Sequence, residues 1–151
     1  MKRLSAAMGI LFFLLLPLTA FSNDAAVVEL VNNAVGFWKE KGKDYTIKLL
    51  NASSGPLRKG ALYVFACDFK GYFVSHPVQE NLRCQDAWEL QDAKGKFIVQ
   101  EFLKVAKQGD GAGWVEYDWL RVGETEPTKK RTFIRRIPGE DFLVGCGYYM
   151  R

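Results

Sequence analysis

Apolar residues after position 22 recur at three- and four-residue spacing, which is the period of an amphipathic helix. The stripe consists of Val27, Val28, Leu30, Val31, Ala34, Val35 and Trp38. Asn23 or Asp24 can cap its first turn. Gly42 interrupts the stripe, helical character resumes over residues 44–50, and Ser54-Gly55-Pro56 is the stop signal that follows. The pattern predicts a long, bent N-terminal helical element.

The rest of the chain reads as strands with a helical insertion. Runs rich in β-branched and aromatic residues predict strands at residues 62–67, 72–75, 114–120, 130–137 and 142–149. A second amphipathic stripe predicts a helix over 97–107, ending at Gly109. The expected fold class is therefore α+β, with an antiparallel sheet of about five strands. Since no repeat or linker interrupts residues 23–151, a single domain is expected there.

Two turns predict which strand residues face one another. A turn at 68–71 would place Cys67 opposite Tyr72 and Tyr63 opposite His76. A turn at 138–141 would place Ile134 opposite Gly145 and Thr132 opposite Gly147. The second hairpin would therefore carry two glycines on one face of one strand, where a ligand or another backbone can approach closely.

Residues 1–22 have the pattern of a targeting signal and not that of a structural element. Lys2 and Arg3 precede a short apolar run over 10–18, and Ala20-Phe21-Ser22 follows. This order is typical of a secretory signal peptide cleaved after Ser22. An uncleaved membrane anchor is the alternative, but the run is about half the roughly 20 residues that a transmembrane helix needs. No later stretch is apolar for long enough to span a bilayer.

Composition and charge exclude several classes of protein. The chain has 151 residues, of which 48% are hydrophobic and 25% charged, so it is globular and too short for a multidomain enzyme or a polytopic membrane protein. Its formal charge is +4, and Lys2 and Arg3 supply half of that. A mature chain so close to neutrality has no general electrostatic reason to bind nucleic acid.

Cysteine and histidine are scarce. The sequence has three cysteines and one histidine, with no Cys-x-x-Cys pair, so neither a metal site nor a haem attachment is expected, and no cofactor is predicted. Exported proteins usually pair their cysteines. Because the segment at Cys84 should cover the sheet while Cys67 lies mid-strand, the expected pair is Cys84 with Cys146.

Several short motifs occur in an order that resembles the single Cache domain family. They are Tyr63-Val64-Phe65-x-x-Asp68-x-x-Gly71, Ser75-His76-Pro77, Leu90-x-Asp92-x-x-Gly95-Lys96, Gly113-Trp114-Val115-x-Tyr117-x-Trp119, Lys130 and Val144-Gly145-x-Gly147-x-Tyr149. The resemblance covers residues 26–150. It implies a PAS-like fold, with an antiparallel sheet behind a long N-terminal helix, and a small-molecule binding domain outside the cytoplasmic membrane.

The last hairpin supplies the first candidate site residues. The resemblance places a ligand-contacting lysine at Lys130, beside the strip formed by Gly145 and Gly147 and flanked by Thr132. The strip would then be the floor of a pocket with Lys130 as its cation. A helix packed closely on the same two glycines is the alternative explanation.

Four other residues complete the candidate set. Tyr117 and Trp119 share one strand face; paired aromatics of this kind also form core, but the Tyr117 hydroxyl would suit a ligand oxygen. His76 ends a strand, where it can donate to a ligand or cap the local backbone. Trp88 lies in the broken segment over 77–96 that would cover the pocket.

These residues favour an exported, non-enzymatic sensor module that takes part in extracytoplasmic signal transduction, such as chemotaxis. A small organic acid would bind between the sheet and the 77–96 segment, and a membrane receptor or transporter would read the bound state. The protein would be periplasmic or secreted. The alternatives are an exported enzyme with a pocket in a conical sheet, or a structural or inhibitory secreted domain without a pocket.

Overall fold

The computed structural model describes residues 23–150, and the predicted signal peptide lies outside this range. Its helices are α1 (Asn23–Lys41), α2 (Lys43–Asn51) and α3 (Ile98–Lys107), with a short 3-10 turn at Glu80–Leu82. The strands are β1 (Arg58–Lys59), β2 (Leu62–Asp68), β3 (Phe73–Ser75), β4 (Ala112–Leu120), β5 (Pro127–Arg136) and β6 (Phe142–Tyr149). Over the described residues, no helix combines the length and apolar character that crossing a membrane requires.

The six strands form one antiparallel sheet in the order β1-β2-β6-β5-β4, with β3 paired to β2. The predicted α+β, PAS-like architecture is confirmed. Six strands replace the expected five, because the two-residue β1 has no sequence pattern of its own. Helix α2 extends the predicted helical residues 44–50 by one residue at each end, and β5 begins at Pro127 rather than at Lys130.

Helices α1 and α2 cover one face of the sheet. The predicted α1 stripe is buried apart from Val28, and it packs with Val64, Ala66, Val144 and Cys146 of the sheet. Gly42 breaks the stripe as predicted, with a φ of 82° that favours glycine. The first turn of α1 is also tied to the sheet, since Asp24 accepts hydrogen bonds from Arg131 and from the Tyr148 hydroxyl.

Helix α3 covers the opposite face. Phe102 and its apolar neighbours pack against Phe65, Val115, Tyr117 and Ile134 of the sheet. The segment between β3 and α3, residues 76–97, continues this cover beyond the helix and is called the roof segment below. The sheet therefore lies between two different layers, and the candidate residues lie on the α3 side.

The two predicted hairpin registers have different outcomes. Ile134 pairs with Gly145 and Thr132 with Gly147, as predicted. The β2–β3 register is different: Cys67 lies opposite Phe73 instead of Tyr72, and a bulge follows at Ala66. The Asp68 carboxylate causes part of this difference, since it accepts the backbone N–H groups of Lys70 and Tyr72 and widens the turn.

Candidate functional site

A small cavity of about 20 Å³ lies between the sheet, α3 and the roof segment. Its walls are made by Phe65, Phe73, His76, Leu82, Leu90, Ile98, Phe102, Tyr117, Trp119 and Lys130. Four residues predicted from the sequence therefore meet at one place, although they come from three separate parts of the chain. Such a volume holds little more than one water molecule.

Lys130 is the cation of this cavity. Its side chain is 3% exposed, and Nζ donates a hydrogen bond to the Tyr63 hydroxyl at 3.1 Å. Nζ also lies 5.0 Å from the Tyr63 ring and 5.1 Å from the Tyr149 ring. Among the described residues, no carboxylate forms an ion pair with it. Burial consequently lowers the pKa of the Lys130 ammonium to about 8.

Tyr117 and Thr132 form a buried hydroxyl pair near Lys130. The two oxygens lie 3.0 Å apart, and both side chains are buried. Tyr117 faces Lys130 directly across the β4–β5 ladder. Burial raises the pKa of the Tyr117 phenol well above its usual value, so the hydroxyl stays neutral and able to donate.

His76 closes the roof side of the cavity as a neutral imidazole. Burial, helped by the nearby charges of Lys130 and Arg83, lowers its pKa to about 3. Nδ1 accepts the backbone N–H of Gln79 at 2.9 Å, so the hydrogen of the neutral ring is on Nε2. His76 therefore caps local backbone, as one of the two interpretations had it, and its ring also lines the cavity.

The two tryptophans have different positions. Trp119 lines the cavity, and its Nε1–H donates to the Gln79 side chain at 3.3 Å. Trp88 is 42% exposed and lies outside the cavity, against the backbone of Gly71. The local chain explains this, because Asp86 accepts the Trp88 N–H and it is Ala87 that is buried.

The glycine strip is covered by side chains of the sheet itself. A Cβ on Gly145 would lie 2.5 Å from Cζ of Phe65, and one on Gly147 would collide with the Thr132 hydroxyl. These nearest atoms belong to the sheet and not to a helix, and neither glycine lines the cavity at Lys130, although Gly147 lines a second recess at the end of the sheet where α1 begins. The glycines let Phe65 and Thr132 lie flat against β6, and in this way they place two side chains near Lys130.

The sequence analysis did not identify the phenylalanines that line the cavity. Phe65 stacks on Phe102 and His76, and Phe73 contacts both Phe65 and His76 edge to face. Tyr63, the hydrogen-bond partner of Lys130, was placed beside His76, and their ring centroids are 5.5 Å apart. Strand β2 is apolar throughout, so alternation could not indicate which of its residues face the cavity.

Asp92 fastens the roof segment to the sheet edge. Its Oδ1 accepts the backbone N–H groups of Lys94 and Lys96 at 2.9 Å each, and Oδ2 accepts that of Asp118 at 3.1 Å. Burial opposes ionisation of Asp92, but these three donors outweigh it and hold the pKa of the carboxyl below its usual value. Asp118 precedes Trp119, so the hydrogen bonds of Asp92 hold the roof segment beside the cavity wall.

The three cysteines are free thiols. Cys146 is buried on the α1 side of the sheet, whereas Cys84 is exposed in the roof segment on the other side. The arrangement therefore does not support the predicted Cys84–Cys146 pair. Residues 23–150 also contain no group of three or more His, Cys, Asp and Glu side chains that could hold a metal ion.

The chain is similar to known sensor proteins. It is 30% identical over 88 residues to the methyl-accepting chemotaxis protein McpP of Pseudomonas putida, a match that covers 58% of this chain and 16% of that protein. A solved periplasmic sensor domain of a chemotaxis protein is 25% identical, with a TM-score of 0.68 over 83% of this chain and 89% of the other.

A second solved structure, described as a Cache chemosensory domain, is 22% identical, with a TM-score of 0.66 over 82% of this chain and 85% of the other. This likeness concerns the fold. The chain spans less than a fifth of the length of the curated relatives it matches. The sequence profile of the family described as Single Cache domain 2 matches residues 38–151, and the chain therefore belongs to that family.

Proposed function

We propose that the protein is an extracytoplasmic sensor module that binds a small organic acid at Lys130. The observation that carries the proposal is the buried ammonium of Lys130, which has only neutral partners among the described residues. A carboxylate that leaves water needs a fixed cation and hydrogen-bond donors in its place. Tyr63, Tyr117 and His76 are donors of this kind around the cavity.

The size of the cavity supports a short ligand. About 20 Å³ lies open, so a bound acid displaces the roof segment or the aromatic side chains to make room. Gln79 holds the roof closed by two contacts, accepting from the Trp119 ring and donating to the His76 ring. A solved Cache chemosensory domain is described as recognising carboxylic acids, which supports the same ligand class here.

The site chemistry favours binding over catalysis. His76 has a pKa of about 3 and is a weak base, while burial raises the pKa of the Cys146 thiol to about 12 and that of Cys67 still further. Neither thiol is therefore a nucleophile at neutral pH. These features weigh against an exported enzyme, and the cavity weighs against a structural or inhibitory domain without a pocket.

Family membership and the signal-like residues 1–22 support a location outside the cytoplasmic membrane, in the periplasm or secreted. A membrane receptor or transporter would then detect the acid-bound form. The relatives matched include a chemotaxis receptor, which supports a role in sensing.

A thermal-shift screen of short monocarboxylates tests the proposal. A ligand at about 100 times its Kd stabilises the fold by roughly 2.7 kcal/mol, which raises Tm by about 5–15 °C. Lys130→Met should abolish the shift. Since that variant replaces an unpaired buried charge by an apolar side chain, its ligand-free stability should equal or exceed that of the wild type.

Lys129→Met is the matched control, because Lys129 is the exposed neighbour on the same strand. It should retain the full shift. A screen without any hit, or a Lys130→Met variant that responds as the wild type does, would contradict binding at this cavity.

A further inference from the structure

A second and much larger recess lies at the end of the sheet where α1 begins. It is a groove of about 710 Å³, whose walls include Arg58, Tyr63, Val78, Arg121, Val122 and Tyr149. Ligand sites of proteins commonly have volumes of about 300–1,000 Å³. The groove has that size, and the cavity at Lys130 does not.

The groove carries positive charge. Arg58, Lys59 and Arg121 line it, and none of the described lining residues is acidic. Arg121 lies with its guanidinium 4.5 Å from the centre of the Tyr149 ring, and Glu124 pairs with it at 3.1 Å from outside the lining. The bound molecule that complements these walls is an anion.

The groove also has an apolar surface. Val122 is 67% exposed and Val78 is 36% exposed, and both line the groove together with Tyr149. Exposed aliphatic side chains next to cations suit a molecule with a charged head and an apolar body. A short acid would leave this surface uncovered.

A thin wall separates the groove from the cavity. Tyr63 lines the groove, while its hydroxyl accepts the hydrogen bond of Lys130 on the cavity side. Gln79 also lines the groove, and its side chain holds Trp119 of the cavity wall. Because both contacts are formed, the two recesses are separate in this structure.

We propose that this groove is a second binding site, for an amphipathic organic anion. Arg58 and Arg121 hold the anionic head, and Val78, Val122 and Tyr149 cover the apolar body. The site is distinct from the short-acid site, and the two share Tyr63 and Gln79 as a common wall.

Fluorescence titration with 8-anilinonaphthalene-1-sulfonate, an aromatic sulfonate, tests this proposal on the purified protein. Saturable binding is expected, and Arg58→Gln with Arg121→Gln should weaken it by about tenfold or more, as expected for lost charge-assisted hydrogen bonds. Val122→Glu should also weaken it, by adding a negative charge to the wall. Lys104→Gln, an exposed cation on α3, is the control and should bind as the wild type does.

Competition separates this site from the one at Lys130. In the Lys130→Met variant, which lacks the short-acid site, decanoate should displace the dye, whereas the uncharged octyl glucoside and acetate should not. Unchanged dye binding in the double arginine variant would overturn the proposal, because the dye would then report another surface. Displacement by acetate in that variant would overturn it as well, because a short acid without an apolar body would then fill the groove. Failure of the short-acid screen with dye binding intact would affect only the function proposed for Lys130.

Discussion

At the residue scale, Lys130 differs from its neighbour Arg131 in its partners. Arg131 reaches two carboxylates, Asp24 at 3.2 Å and Glu116 at 2.8 Å. Lys130 is more deeply buried, and its partners are a phenol and two aromatic rings. A buried charge without a counter-ion is costly, and a bound carboxylate would supply the missing counter-ion.

Acid affinity should depend on pH through Lys130. Burial lowers its pKa to about 8 in the free protein, and a bound carboxylate favours the protonated form and raises that pKa. Affinity should therefore be constant from about pH 6 to 8. Above pH 8 it should fall by up to about tenfold per pH unit, since binding then requires proton uptake.

Calorimetry between pH 6 and 10 measures this dependence. Lys130→Arg keeps its charge over the whole range and should bind with an affinity that does not change with pH. Equal affinity of the wild type at pH 7 and pH 10 would be incompatible with Lys130 as the ligand's counter-ion.

At the scale of elements, the roof segment depends on Asp92. Asp92→Ala removes three hydrogen bonds to backbone N–H groups, one of which joins the roof to β4. We expect a loss of about 2–3 kcal/mol in the free energy of unfolding. Hydrogen exchange over residues 76–97 should quicken more than exchange in α1, because α1 lies on the other face of the sheet.

Asp86→Ala is the matched control, since Asp86 lies in the same segment and its carboxylate accepts only the Trp88 N–H among the described side-chain contacts. It should cost less than about 1 kcal/mol. In the wild type, the Asp92 contribution should be present above about pH 4 and lost as pH falls through its lowered pKa. Equal losses of stability in the two alanine variants would show that the Asp92 hydrogen bonds do not hold the roof segment in place.

The strand pairs also show which registers can be predicted from sequence patterns. The β5–β6 register was predictable, because a short local turn at 138–141 joins the two strands and fixes it. The β2–β3 register was not, because a side chain of the turn and a bulge decide it. In the same way, Lys130 and Tyr117 could be placed from alternation on β4 and β5. Trp88 could not, because irregular loop contacts determine its position.

At the scale of the whole molecule, the two faces of the sheet differ in content. The α1 side holds an apolar cluster together with the buried Thr46 of α2, whereas the α3 side has the buried polar residues His76, Lys130 and Thr132 in its core. Polar groups of this kind lower stability unless they are hydrogen-bonded. His76 and Lys130 line the cavity and Thr132 bonds to Tyr117 of its wall, which supports the binding site proposed on this face.

The distribution of thiols between these faces gives a prediction. Cys67 and Cys146 are buried, and burial raises the pKa of each thiol, while Cys84 is exposed. Iodoacetamide should modify Cys84 alone in the native protein and all three cysteines after denaturation without reductant. Mass spectrometry counts the modified sites. Only one modified cysteine in the denatured sample would instead indicate a disulfide and a different arrangement of the roof.

The crystal structure of the protein with a short monocarboxylate from the screen tests the central claim most directly. The account predicts one carboxylate oxygen about 3 Å from Lys130 Nζ, a hydrogen bond from Tyr63, Tyr117 or His76, and a roof segment moved away from Trp119. An acid bound elsewhere, with the Lys130–Tyr63 hydrogen bond and the closed cavity unchanged, would contradict it.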